Sequence, residues 1–184
     1  MFEANAAKLK DLHDAIHTAL RRRSESPACR AVWQEACRRF HSEYDSLAFP
    51  GGLGKAFSLM EAGDPTTIEM VVGFLEADPY FVRSGYHKEV FIKHLCRNPL
   101  SEDQKERLRQ VILARIRGRD RREFRAYCRL ARVVTDPAFQ KQVAEMAGPS
   151  RGTVPRHAQR VIDYLKSTPS KSSRHDVGHS KPEL

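Results

Sequence analysis

Arginine dominates the chemistry this sequence could perform. Arg122, Arg125, Arg129 and Arg132 are spaced i, i+3, i+7 and i+10. On a helix that spacing gathers them within about 80° of arc, opposite Phe124 and Ala131. Arg107, Arg117, Arg119 and Arg121 crowd the segment just before. A guanidinium is planar, permanently charged and forked, which suits carboxylate and phosphate groups. Such a ridge is expected to dock an acidic protein partner. Nucleic acid held through its phosphates is the alternative, although Phe124 and Tyr127 are expected to face inward, leaving no ring for stacking on bases. The plain alternative is a solvated helix face paired locally with Glu106, Asp120 and Glu123.

Other chemistries are poorly supplied. His13 and His17 stand four apart, as do Cys37 and His41, and either pair could offer two metal ligands from one helix face. A zinc-protease helix needs glutamate after its first histidine, where this chain has Asp14, so neither metal nor cofactor is expected. No Gly-x-Ser-x-Gly elbow is present, and no cysteine sits beside a glycine-rich turn with an activating histidine. Gly51-Gly52-Leu53-Gly54-Lys55 resembles part of a phosphate loop but has Phe49 and Ala56 at its two remaining key positions. Glu35 and Glu43 read as surface partners of Arg38 and Arg39. The reading leans toward a non-enzymatic binding protein, with a metalloprotein or enzyme third.

The 184 residues carry a net charge of +9. It is unevenly placed: +1 over residues 1–50, −1 over 51–100, +5 over 101–150 and +4 over 151–184. No apolar run reaches the roughly 20 residues a bilayer crossing needs, so no membrane partner is expected. The first twenty residues lack the unbroken apolar stretch of a signal peptide. Four cysteines without a CxxC pair fit free thiols in a reducing interior, and the expected location is cytoplasmic.

The elements that must position these groups are helices. Almost every segment has 3.6-residue periodicity, and none alternates as a strand would. Ser26, Asp64, Ser101 and Asp136 each carry a helix-start signal, at intervals of 38, 37 and 35 residues. Ser101 with Gln104 forms a capping box, and Asp120 with Glu123 suggests a second, opening the arginine-rich helix. The spacing predicts an all-α fold of about nine or ten short helices. They would stack as irregular hairpins, either solenoid-like or as an orthogonal bundle. Arg115 shares a face with Leu108, Val111 and Ile112 and is expected at the core's edge.

Asp78-Pro79-Tyr80-Phe81-Val82-Arg83, followed by Tyr86 and Leu95, resembles the Asp-Pro-x-x-Val-Arg turn-and-helix pattern of HEAT-like repeats. Asp136-Pro137 and Val154-Pro155-Arg156 are similar but weaker. The pattern is broken at Ser84-Gly85. The resemblance implies an interaction surface, mostly for proteins and in a few members of that family for DNA, and names no substrate. Residues 1–166 are expected to form one domain, and 167–184, rich in serine and basic residues, a disordered basic tail.

Overall fold

The computed structural model describes residues 1–149 and 151–167. Nine α-helices occur among them: α1 (Phe2–Leu20), α2 (Pro27–Ala48), α3 (Leu53–Glu61), α4 (Pro65–Ala77), α5 (Ser84–Leu95), α6 (Glu102–Arg117), α7 (Phe124–Val134), α8 (Pro137–Met146) and α9 (Thr153–Lys166). No strand occurs among the described residues, and no helix there is long and apolar enough to cross a membrane. The fold is all-α. The tail beyond Ser167 lies outside the described residues.

Local chemistry sets the helix starts. The Ser26 hydroxyl accepts from Cys29 N at 3.1 Å, Asp64 from Thr67 N at 2.7 Å and Asp136 from Phe139 N at 2.7 Å. Ser101 and Gln104 close their box reciprocally, each bond at 3.1 Å. Each satisfies a backbone donor that the first turn leaves without a partner. The second box does not form. Helix α7 starts at Phe124, its N-cap Glu123 makes no side-chain cap bond, and Asp120 instead faces Arg156 of α9 at 3.2 Å. Arg122 therefore sits in the turn before α7, and only Arg125, Arg129 and Arg132 of the ridge are helical.

Helices α3, α5, α7 and α9 pack successively side by side, while α4 lies against α6 and α8 against α9. Phe49, Phe74 and Phe91 meet with ring centroids 4.8–5.7 Å apart, tying the end of α2 to α4 and α5. Edge-to-face and tilted contacts of this kind add to what burial alone contributes. Leu108, Ile112, Leu130, Phe139 and Val161 continue the core through the second half. The apolar side of α2 is only partly covered: Val32 is 62% exposed, and Ala48 is the helix's one buried residue. Helix α2 packs mainly on α1, so among the described residues the face that would complete its burial has no neighbour.

The glycine-rich turn before α3 holds no room for a phosphate. Asp45 Oδ1 accepts from Leu53 N at 3.0 Å, and a Cβ at Gly52 (φ +91°) would collide with that carboxylate. The chain's own anion occupies the cradle.

A buried ion cluster joins α4, α5, α6 and the turn before α7. Asp78 closes α4 in the left-handed conformation (φ 46°). Its carboxylate accepts from Lys88 Nζ at 2.5 Å, from Arg121 Nη1 at 2.9 Å and from Arg115 Nη1. Arg115, expected at the core's edge, is held there by this pair. Lys88 is fully buried. Glu123, also buried, adds a second carboxylate and presses on Gly85 so closely that a Cβ there would lie 2.8 Å from its Oε2. Glycine at 85 is thus the residue that lets α5 start against α7's entry turn, not an interruption of α5.

Removing the acid from such a cluster leaves buried cations uncompensated, which costs about 3–5 kcal/mol. Asp78→Ala should lose that much in urea unfolding. Lys88→Met, which leaves Asp78 with two arginines, should lose less than half as much. Equal losses would show that Asp78 is not the hub.

Candidate functional site

The eight candidate arginines do not form one ridge. Arg107 clamps α6 to α4, donating to Glu76 at 2.7 and 2.8 Å and pairing with Glu69 and, at 3.4 Å, Asp103. Those carboxylates hold its guanidinium firmly protonated and neutralised. Arg121 is spent on Asp78. Arg125 Nε donates to the Tyr164 hydroxyl at 2.8 Å, and Arg132 reaches the Tyr164 and Ser167 carbonyls, so both pin α9 to α7. Arg117 and Arg119 are exposed at the far end of α6. Among the described residues, Arg117, Arg119, Arg125, Arg129 and Arg132 have no carboxylate within 4.0 Å.

What the structure does bring together is a groove of about 450 Å³ between α5 and α7. Its floor is apolar, from Ile92 of α5, Cys96 at that helix's C-cap and Ala126 of α7, with Val133 at one edge. Lys93, Arg97, Arg129 and Arg132 rim it, against a single acid, Glu89. Lys93 and Arg97 went unnoticed in the sequence because residues 51–100 sum to a net negative charge. The available signal was their i, i+4 spacing on the face that also carries Glu89 and Tyr86.

At the end of this groove lies a larger cleft of about 610 Å³, between α1, the segment 80–86 and the turn before α7. Tyr80 and Tyr86 line it, 77% and 51% exposed. The Arg122 guanidinium carbon sits 3.5 Å from the Tyr86 ring centroid, and that of Arg121 5.6 Å from Tyr80's. Phe124 and Tyr127 do face inward, as expected. The rings that accompany the arginines come from a different segment, about forty residues earlier. Behind the cleft the Tyr44 hydroxyl donates to Val82 O at 2.8 Å, which leaves the His87 Nε2–H to donate to Tyr44 Oη, also at 2.8 Å. Burial lowers the His87 pKa, consistent with a neutral ring, and burial pushes the Tyr44 phenol up to about 12.

The metal candidates do not assemble a ligand set among the described residues. His13 and His17 have their Nε2 atoms 3.2 Å from one another, and His41 is exposed while Cys37 is half-buried. No group of three or more His, Cys, Asp or Glu side chains among the described residues could hold a metal ion. Glu35 pairs with Arg38 at 2.6 Å and Glu43 with Lys8 at 2.6 Å. The thiols of Cys96 and Cys128 are pushed up to about 11 by burial, which keeps them protonated and poor nucleophiles.

No known family model, curated protein or solved structure shows significant similarity to this chain. The HEAT-like pattern at Asp78–Arg83 therefore rests on those residues alone.

The raised phenol and thiols have a consequence for stability. In the unfolded chain Cys96 and Cys128 release their protons near pH 9.0 and Tyr44 near 10.0, whereas the folded protein holds them to about 11 and about 12. Across that window the native state binds more protons, so stability is fully present below pH 9 and falls as pH rises toward 12. Urea midpoints measured from pH 8 to 11.5 should decline, and the decline should flatten in Cys96→Ala/Cys128→Ala. A level profile contradicts the burial assigned to these groups.

Proposed function

We propose that the chain is a non-enzymatic binding module whose α5/α7 groove docks an acidic segment of another protein. The observation that carries this reading is the pairing of an apolar floor with three cations, Lys93, Arg97 and Arg129, that have no carboxylate partner among the described residues. Between the packed helices the molecule answers its own charges: Arg107 has three acids and Asp78 three cations. A rim left unanswered beside Ile92, Cys96 and Val133 matches an amphipathic segment with acidic flanks. Its apolar side chains would cover the floor while its carboxylates meet the rim. The groove itself has no aromatic lining, which favours a polypeptide over bases. The HEAT-like pattern, whose family mostly binds proteins, supports the same class. Four free cysteines suit a reducing compartment such as the cytoplasm.

Lys93, Arg97 and Arg129 are all exposed, so reversing them tests binding without disturbing the core. A fluorescent peptide of alternating glutamate and leucine blocks should bind the full chain. The variant Lys93→Glu/Arg97→Glu/Arg129→Glu should bind it at least about tenfold more weakly, with an unchanged unfolding midpoint. Equal binding by the variant rejects the groove. An oligonucleotide bound more tightly than the peptide, with log affinity falling by roughly 2 per unit of log salt for three phosphate contacts, would reassign the face to single-stranded nucleic acid.

A further inference from the structure

The cleft beside the groove differs from it in kind. Asp78 (φ 46°) and Arg83 (φ 66°) are the non-glycine residues with positive φ among those described, and they stand at the two ends of the segment that carries Tyr80. The left-handed conformation is costly for a residue with a Cβ, and such outliers collect where a side chain must be aimed. At Asp78 the ion cluster accounts for the strain. At Arg83 the backbone turn accounts for it: Ser84 N donates to Phe81 O at 3.0 Å, which makes Arg83 the third residue of a tight turn, where φ is positive. Among the described residues the Arg83 guanidinium has no carboxylate within 4.0 Å, and it lines the cleft.

The cleft also holds two of the large apolar or aromatic side chains the fold leaves most exposed, Tyr80 and Tyr86. The Arg122 guanidinium carbon lies over the Tyr86 ring, and its one carboxylate neighbour, Glu89, is 3.5 Å away and lines the groove. A guanidinium stacked on a ring keeps its in-plane N–H donors available for an anion. The other charges of the wall cancel, since Lys10 pairs with Asp14 at 2.8 Å and Glu123 is covered by Arg121. The wall therefore offers an exposed ring face and two forked cations around a space of about 610 Å³, within the size range of small-molecule sites.

We propose that this cleft binds a nucleoside phosphate, with the base stacked on Tyr80 and the phosphate taken by Arg83 and Arg122. A ring alone would leave Arg83 without an anion, and a free phosphate would leave the tyrosines bare. This site does not depend on the groove reading: the groove binds through Lys93, Arg97 and Arg129, which the cleft does not use.

The test is titration of the full-length chain with N-methylanthraniloyl-ADP, followed by displacement with ADP, adenosine and inorganic phosphate. Saturable binding displaced by ADP, and at least tenfold less well by adenosine or phosphate, is expected. Tyr80→Ala should weaken it about tenfold, in line with the loss of one stacked base, and Tyr80→Phe should bind within about twofold of wild type. Arg83→Gly is the decisive variant. Glycine adopts the same backbone with less strain, so its unfolding midpoint should hold or rise while nucleotide affinity falls about tenfold. The groove variant Lys93→Glu/Arg97→Glu/Arg129→Glu should bind nucleotide normally. Any of four results overturns the proposal: no saturable signal at millimolar nucleotide, displacement by phosphate as good as by ADP, wild-type affinity in both Tyr80→Ala and Arg83→Gly, or equal loss in the groove variant.

Discussion

A single carboxylate organises the middle of this protein. Asp78 ends α4 in a left-handed turn and gathers cations from α5, from α6 and from the segment entering α7. A lysine as fully buried as Lys88 is tolerable only beside such a partner, because desolvating an ammonium costs several kcal/mol. The cluster therefore constrains four elements at once. It fixes where the chain turns toward α5, and with it the direction of Tyr80 and Arg83. It also fixes the entry to α7, from which Arg121 and Arg122 project. The cleft is edged by Arg121 and Glu123, two members of this cluster.

The basic side chains fall into groups that composition cannot separate. Arg107, Arg115 and Arg121 are structural, each matched to carboxylates from other helices. Arg125 and Arg132 fasten α9 through neutral oxygens, using the donor fork more than the charge. Arg83 and Arg129, with Lys93 and Arg97, are left facing solvent without a carboxylate among the described residues. Exposed pairs contribute little to stability, so the fold loses little by leaving these cations unpaired.

The capping residues Ser26, Asp64, Ser101 and Asp136 were legible because a cap bond spans only three residues, and the stripes of α6, α7 and α9 because 3.6-residue periodicity is local. The box at Asp120 misled for the same reason. Its pattern was right locally, but Asp120 finds Arg156 and Arg160 across the interface with α9, and Glu123 is drawn inward beside Gly85 and Arg121. The half-covered face of α2 was equally illegible, since a stripe reveals that a helix could be buried and not whether a neighbour exists to bury it.

By itself, then, the sequence determined the helical class, most helix starts and the basic character of the second half, all of which follow from interactions within one or two turns. Only the tertiary structure decided which charges are already answered. Asp78 lies 10, 37 and 43 residues from its three cations, and Arg122 lies 36 from the tyrosine it covers. Electrostatic and stacking energies depend on distance in space, and no spacing along the chain encodes it.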